Sequence, residues 1–159
     1  MTNIHSLMSN YQREMKNIGE IIGLPSAAKV ISENKIYAID GVTKYDLSPM
    51  LRDRFIFCDR WDDFYLSQNM LSLDEINSFP YNAKLVEWIS LRKENWDHVP
   101  PGSVGDSFCS ILSFNLYEPE EIYIDWSECS KEPAIWHCAQ SDYYRYDNLE
   151  EFFMEISRV

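Results

Sequence analysis

Three groups of side chains carry atoms that chemistry could use. Cys129, His137 and Cys138 are potential zinc ligands. But His137 and Cys138 are neighbours, and in a strand neighbouring side chains point to opposite faces. No Cys-x-x-Cys pair is present to anchor a structural site. The expectation is buried thiols and a strand histidine, with no metal and no cofactor. Asp97 and His98, with Ser107 or Cys109 further on, could supply the acid, base and nucleophile of covalent catalysis. No nucleophile-elbow glycine pattern accompanies them, and nearly any chain of this size offers such parts. Glu120 and Asp125 could act as paired carboxylates in hydrolysis, although acids at turns are common. The chain reads as a non-enzyme, with a small hydrolase as the lesser alternative.

Charge speaks more plainly than chemistry. The chain has 159 residues, 14 Lys/Arg against 26 Asp/Glu, and a formal charge of −12. Residues 1–80 carry eight basic against eleven acidic side chains, a net of −3; residues 81–159 carry six against fifteen, a net of −9. Such a field repels phosphate backbones and anionic lipid, which argues against direct nucleic-acid or membrane binding. It attracts a basic protein surface and speeds the encounter. The ten tyrosines and five tryptophans exceed what a small core easily hides, and amphipathic rings suit binding surfaces. Aromatics ringed by carboxylates occur at Trp61, Asp62 and Asp63, and at Glu118, Glu120, Glu121, Asp125 and Trp126. A weaker third cluster is Asp142, Tyr143 and Tyr144. These are the candidate partner-binding residues. The alternative is a solvated face with Trp61 and Trp126 packed inward. If the surface reading holds, reversing the charge of Glu121 and Asp125 weakens partner binding and leaves folding little changed.

The elements that must position these residues are legible from periodicity. Ile4, Leu7, Met8, Tyr11, Met15 and Ile18 recur at helical spacing, with Gly23 and Pro25 as punctuation. Lys35–Ile39 reads as a strand stopped by Asp40-Gly41. Ser48 and Pro49 open a short helix, followed by a strand at Phe55–Cys58. Ser72-Leu73-Asp74-Glu75 is a capping box with a Leu71–Ile76 staple, and Pro80 closes that helix. Asn82–Asn95 reads as helix, and His98–Ser103 as a loop. Val104–Phe114 and Glu121–Trp126 read as adjacent antiparallel strands. In the second, Ile122 and Ile124 face the core while Glu121, Tyr123 and Asp125 face water. A strand at Ala134–Cys138 follows. Asn148, Glu151, Leu149, Phe152, Phe153 and Ile156 then specify a closing amphipathic helix. The whole predicts one α+β domain over residues 1–159, an antiparallel sheet with helices packed on it. The first residues lack the features of a secretory signal and no run of about 18 apolar residues is present. A cytoplasmic protein is expected, its four cysteines reduced, as a monomer or weak dimer.

Four segments carry a resemblance. They are MLSLDEI (Met70 to Ile76), the Gly105-Asp106-Ser107-Phe108-Cys109 strand start, EIYIDW (Glu121 to Trp126), and SDYYRYDNLEEFFMEI, where a loop feeds a helix built around Leu149, Phe152 and Phe153. Their order, from about Ile18 to Val159, resembles the SUKH superfamily, the Smi/Knr-type proteins. The resemblance implies a SUKH-like fold and a non-enzymatic binding role. Many bacterial members look like immunity proteins, which bind a toxin, often a nuclease, and occlude its active site. The rival expectation is an acidic mimic of nucleic acid, such as a phage inhibitor of a DNA-binding protein. A mimic needs carboxylates in phosphate-like rows, whereas here acids alternate with Trp and Tyr.

Overall fold

Helix boundaries follow capping chemistry. In the computed structural model, which describes residues 2–79, 82–115, 117–128 and 131–158, helix α1 spans Ile4–Asn17 and buries Ile4, Met8, Tyr11 and Met15. It ends earlier than Gly23 and Pro25 would suggest. Gly19, at φ 78°, lets Glu20 N–H reach Met15 C=O at 2.9 Å and its own N–H reach Lys16 C=O at 3.2 Å. That pair of bonds is a Schellman stop. Gly23 serves another purpose: a Cβ there would lie 1.9 Å from the Asp62 carbonyl oxygen, so only glycine admits this close approach.

Strands β1 (Lys35–Tyr37) and β2 (Lys44–Asp46) pair as a small hairpin. Ser48 caps α2, Pro49–Phe57, with Pro49 at its first position. The expected strand at Phe55–Cys58 is therefore helix up to Phe57. The aromatic run looks strand-like by propensity, but α2 packs against α1 and buries Leu51, Arg54 and Phe55, and tertiary burial overrides propensity. Helix α3, Leu73–Asn77, carries the predicted capping box, and Asn82 caps α4, Ala83–Asn95, whose Leu85, Trp88, Ile89 and Arg92 are buried. Pro80, the expected stop of α3, lies outside the described residues, as does Cys129.

A six-stranded antiparallel sheet runs in sequence order: β3 (Trp61–Tyr65), β4 (Gln68–Met70), β5 (Cys109–Asn115), β6 (Glu120–Asp125), β7 (Ala134–Ala139) and β8 (Asp142–Tyr146). Strand β5 starts later than expected, because Gly105 adopts φ 85° and Asp106–Phe108 form a 3₁₀ turn. Two two-residue turns close hairpins. Leu66 and Ser67, at φ 48° and 61°, join β3 to β4; Gln140, at φ 51°, and Ser141 join β7 to β8. Strand β8 falls where a loop was read.

Register assigns the faces. On one, Ile122 and Ile124 align with His137, Ile135, Tyr144 and Tyr146, beneath α5 (Leu149–Ile156), which Asn148 caps. Helix α5 packs on β7, β8, α1 and α2, with Phe152 and Phe153 fully buried. On the other face Glu121, Tyr123 and Asp125 align with Cys138, Trp136 and Ala134. This face is not open to water as the alternation predicted. Helix α4 covers it, with Trp88 against Phe114 at 6.2 Å between ring centroids and Arg92 against Glu121. The result is one α+β domain with both faces of its central strands buried. Among the described residues no helix is long and apolar enough to cross a membrane.

Candidate functional site

The hairpin β7–β8 carries the features a site needs: a free edge, exposed rings and a cleft. Strand β8 is the last in the sheet, and among the described residues no backbone group bonds to its outer side. Opposite orientation along the strand puts Tyr143 and Tyr144 on opposite faces. Both are exposed, by 45% and 52%. The base of the hairpin is fixed by Arg92 of α4. Its Nε donates to Glu121 Oε2 at 2.6 Å. Its other nitrogens donate to the carbonyls of Cys138 at 3.0 Å, Gln140 at 3.4 Å and Pro119. One buried guanidinium thus joins α4, the start of β6 and the hairpin turn.

On the α4 face, Tyr143 belongs to a row of rings. Its centroid is 5.1 Å from His98 and 6.1 Å from Trp136, and His98 is 5.4 Å from Trp96. On the α5 face the hairpin walls a cleft of about 500 Å³ with Tyr65, Leu66, His137, Tyr144 and Tyr146 on its sides. His137 lies between two rings, 5.7 Å from Tyr65 and 6.0 Å from Tyr144. Its Nε2 is bonded to Glu120 Oε1 at 2.7 Å. Burial alone would raise the Glu120 pKa, but the interaction with His137, helped by hydrogen bonds from Gln68 and Asn115, outweighs it and holds the carboxyl below its ordinary value. The Tyr65 hydroxyl is pushed up to about 12, first by burial and then by Tyr146, Glu120, Tyr144 and Glu155 around it.

The predicted binding residues divide sharply. Asp62, Asp63, Glu118, Asp142, Tyr143 and Tyr144 are exposed. Trp61, Glu120, Glu121, Asp125 and Trp126 are interior, which corrects their placement on a surface. Trp61 donates through Nε1 to Gly23 C=O at 2.7 Å. Trp126 stacks on Tyr45 at 4.5 Å and 3°. Asp125 accepts from Ser127 N–H at 2.9 Å and Trp136 Nε1 at 3.0 Å. Charge reversal at Glu121 or Asp125 therefore strikes the interior and cannot leave folding unchanged.

Of the candidate nucleophilic set, Asp97 and His98 lie together, with Asp97 Oδ1 3.8 Å from His98 Nδ1. His98 packs on Trp96 and Tyr143, while Cys109 is fully buried with its thiol pKa raised by that burial, the opposite of an activated nucleophile. Glu120 and Asp125 point to opposite faces of β6. His137 and Cys138 likewise diverge, and among the described residues no group of three His, Cys, Asp or Glu is placed to hold a metal. Trp96, Trp136 and Tyr65 were missed as site residues, and His98 was named only as a part of a catalytic set. The signal was a β-hairpin after Ala134, disguised by a turn of Gln140-Ser141 rather than Asn-Gly. Compared with known proteins, the chain matches no family model, no curated protein and no solved structure.

Proposed function

We propose that this chain is a non-enzymatic acidic binding protein that takes a basic protein partner on the β7–β8 hairpin. The observation that carries this reading is the free edge of β8 with an exposed tyrosine on each face. An edge strand offers backbone groups to a partner chain, and exposed aromatics are the residues that dominate binding energy at interfaces. The net charge of −12 selects the partner's sign and speeds its approach. The resemblance to SUKH immunity proteins suggests a cognate toxin, a nuclease whose phosphate-gripping surface is basic, silenced by occlusion in the cytoplasm.

The test is to express the open reading frame beside the gene with and without this chain. The expected result is killing by the neighbour alone, rescue and co-purification with this chain, and loss of both with the double variant Tyr143→Ala/Tyr144→Ala at unchanged melting temperature. A harmless neighbour, or one that kills regardless, removes the immunity reading. Capture of a DNA-binding protein competed away by duplex DNA would favour the nucleic-acid mimic instead.

A further inference from the structure

We propose that the cleft between the β3–β4 turn and β8 is a binding site for an organic cation on an alkyl stem, a guanidinium or an ammonium. Three independent features converge there. First, rings form its walls: Tyr65, Tyr144 and Tyr146, whose faces attract cations. Second, the charges around it are predominantly acidic. Asp142 and Glu155 stand at its lining against the single Arg158, which is paired to Glu155 at 3.1 Å. Among the described residues Asp142 carries no partner charge at the lining, and Glu120 is engaged behind the wall by His137. Third, an apolar strip is provided by Leu66 and Ile156, the surface along which a methylene stem packs.

Leu66 is the informative residue. It is 59% exposed, it holds φ 48°, and Ser67 beside it holds φ 61°. A turn of this type favours Asn-Gly, and a leucine in the left-handed region is strained. The strain sets an apolar side chain at the lip shared by this cleft and a second cavity of about 410 Å³ beside Tyr11 and Ile22. Backbone strain retained at a cleft mouth is a mark of use. An apolar stem and a cationic head together match a surface that is apolar at its lip and aromatic and acidic within.

The cation could be the end of an Arg or Lys side chain presented by a partner, or a free amine. Agmatine and a capped Gly-Arg-Gly peptide serve as probes, with the citrulline peptide as neutral isostere and inorganic phosphate as anion. Nuclear magnetic resonance of the His137 ring and of the Tyr65 and Tyr144 rings reads the cleft directly. Saturable shifts are expected with both cations, and binding at least about tenfold weaker for citrulline. Asp142→Asn and Tyr144→Ala, both at exposed positions, should each weaken agmatine several-fold while the folded spectrum persists. Tighter binding of the peptide than of agmatine points to a partner's side chain; the reverse points to a free amine. No shift at tens of millimolar cation, equal binding of citrulline, or preference for phosphate would overturn the proposal. Cation binding here does not require β8 to have a protein partner. Agmatine binding without a toxin complex would sink only the partner reading, and a toxin complex without agmatine binding would sink only this one.

Discussion

Glu120 and Glu121 are consecutive residues with opposite electrostatic fates. Strand alternation sends Glu120 toward His137 and Glu121 toward Arg92, from a helix 29 residues earlier. Burial pushes the Glu121 carboxyl up to about 7 from an ordinary 4.5, more than the adjacent Arg92 draws it down. The folded chain therefore holds a proton that the unfolded chain releases. The stability this confers is fully present below pH 4.5 and is lost as pH rises to about 7. Glu120 acts in the other direction: its contribution is present above the ordinary carboxylate value and disappears as pH falls through its lowered one. Stability is expected to peak near pH 5 and to fall between pH 5 and 7.5 in urea titrations, with Glu121→Gln flattening that fall. An unchanged slope in the variant would mean that Glu121 is ionised throughout. Arg92→Met takes the donor from the buried Glu121 carboxyl and from the Cys138 carbonyl and is expected to cost about 1–3 kcal/mol for each acceptor left unsatisfied. None of this was legible in EIYIDW. Alternation correctly separated the two faces of β6 but gave the second to water, because what buries it lies in α4 and no local pattern encodes that.

At the scale of elements, the segments that announced themselves were those with chemistry at their ends. The Ser72–Glu75 capping box, Ser48 with Pro49, and Asn148 cap helices where their sequence says, and Asn82, read as helix, is itself the cap of α4. The strands read correctly, β1, β5, β6 and β7, are rich in apolar and aromatic residues. Four were missed. Of these, β2 and β4 are only three residues long, too short to show a period. The other two, β3 and β8, carry Asp62-Asp63 and Asp142-Tyr143-Tyr144-Arg145, because strands at a sheet's margins tolerate polar side chains that central strands exclude. Their turns were equally silent, since Leu66-Ser67 and Gln140-Ser141 lack glycine and asparagine. The β3–β4 turn gives a test of its own. Replacing Leu66-Ser67 with Asn-Gly relieves the left-handed backbone and is expected to raise stability by about 1–2 kcal/mol, measured by thermal or urea unfolding. The same change removes the apolar lip of the cleft, so stability and cation affinity should move in opposite directions. A double variant no more stable than the parent would show that the turn is unstrained.

For the molecule as a whole, a charge of −12 on 159 residues sets like charges against each other across the entire surface. Salt shortens the reach of that repulsion, from about 30 Å at 0.01 M to about 3 Å at 1 M. The melting temperature is expected to rise over that range while the rate of association with a basic partner falls. A flat or falling melting temperature would indicate that surface pairs such as Arg145 with Glu128 and Asp147 already balance the field. The order of the sheet has one more consequence. Each strand from β3 to β8 pairs only with its neighbours in strand order, so the sheet can grow strand by strand as the polypeptide leaves the ribosome, with α3 and α4 inserted between β4 and β5. Helix α1 packs against α5, which follows it by the whole six-stranded sheet. The part of its apolar stripe that α2 does not cover must therefore stay open until the sheet has passed and α5 is made.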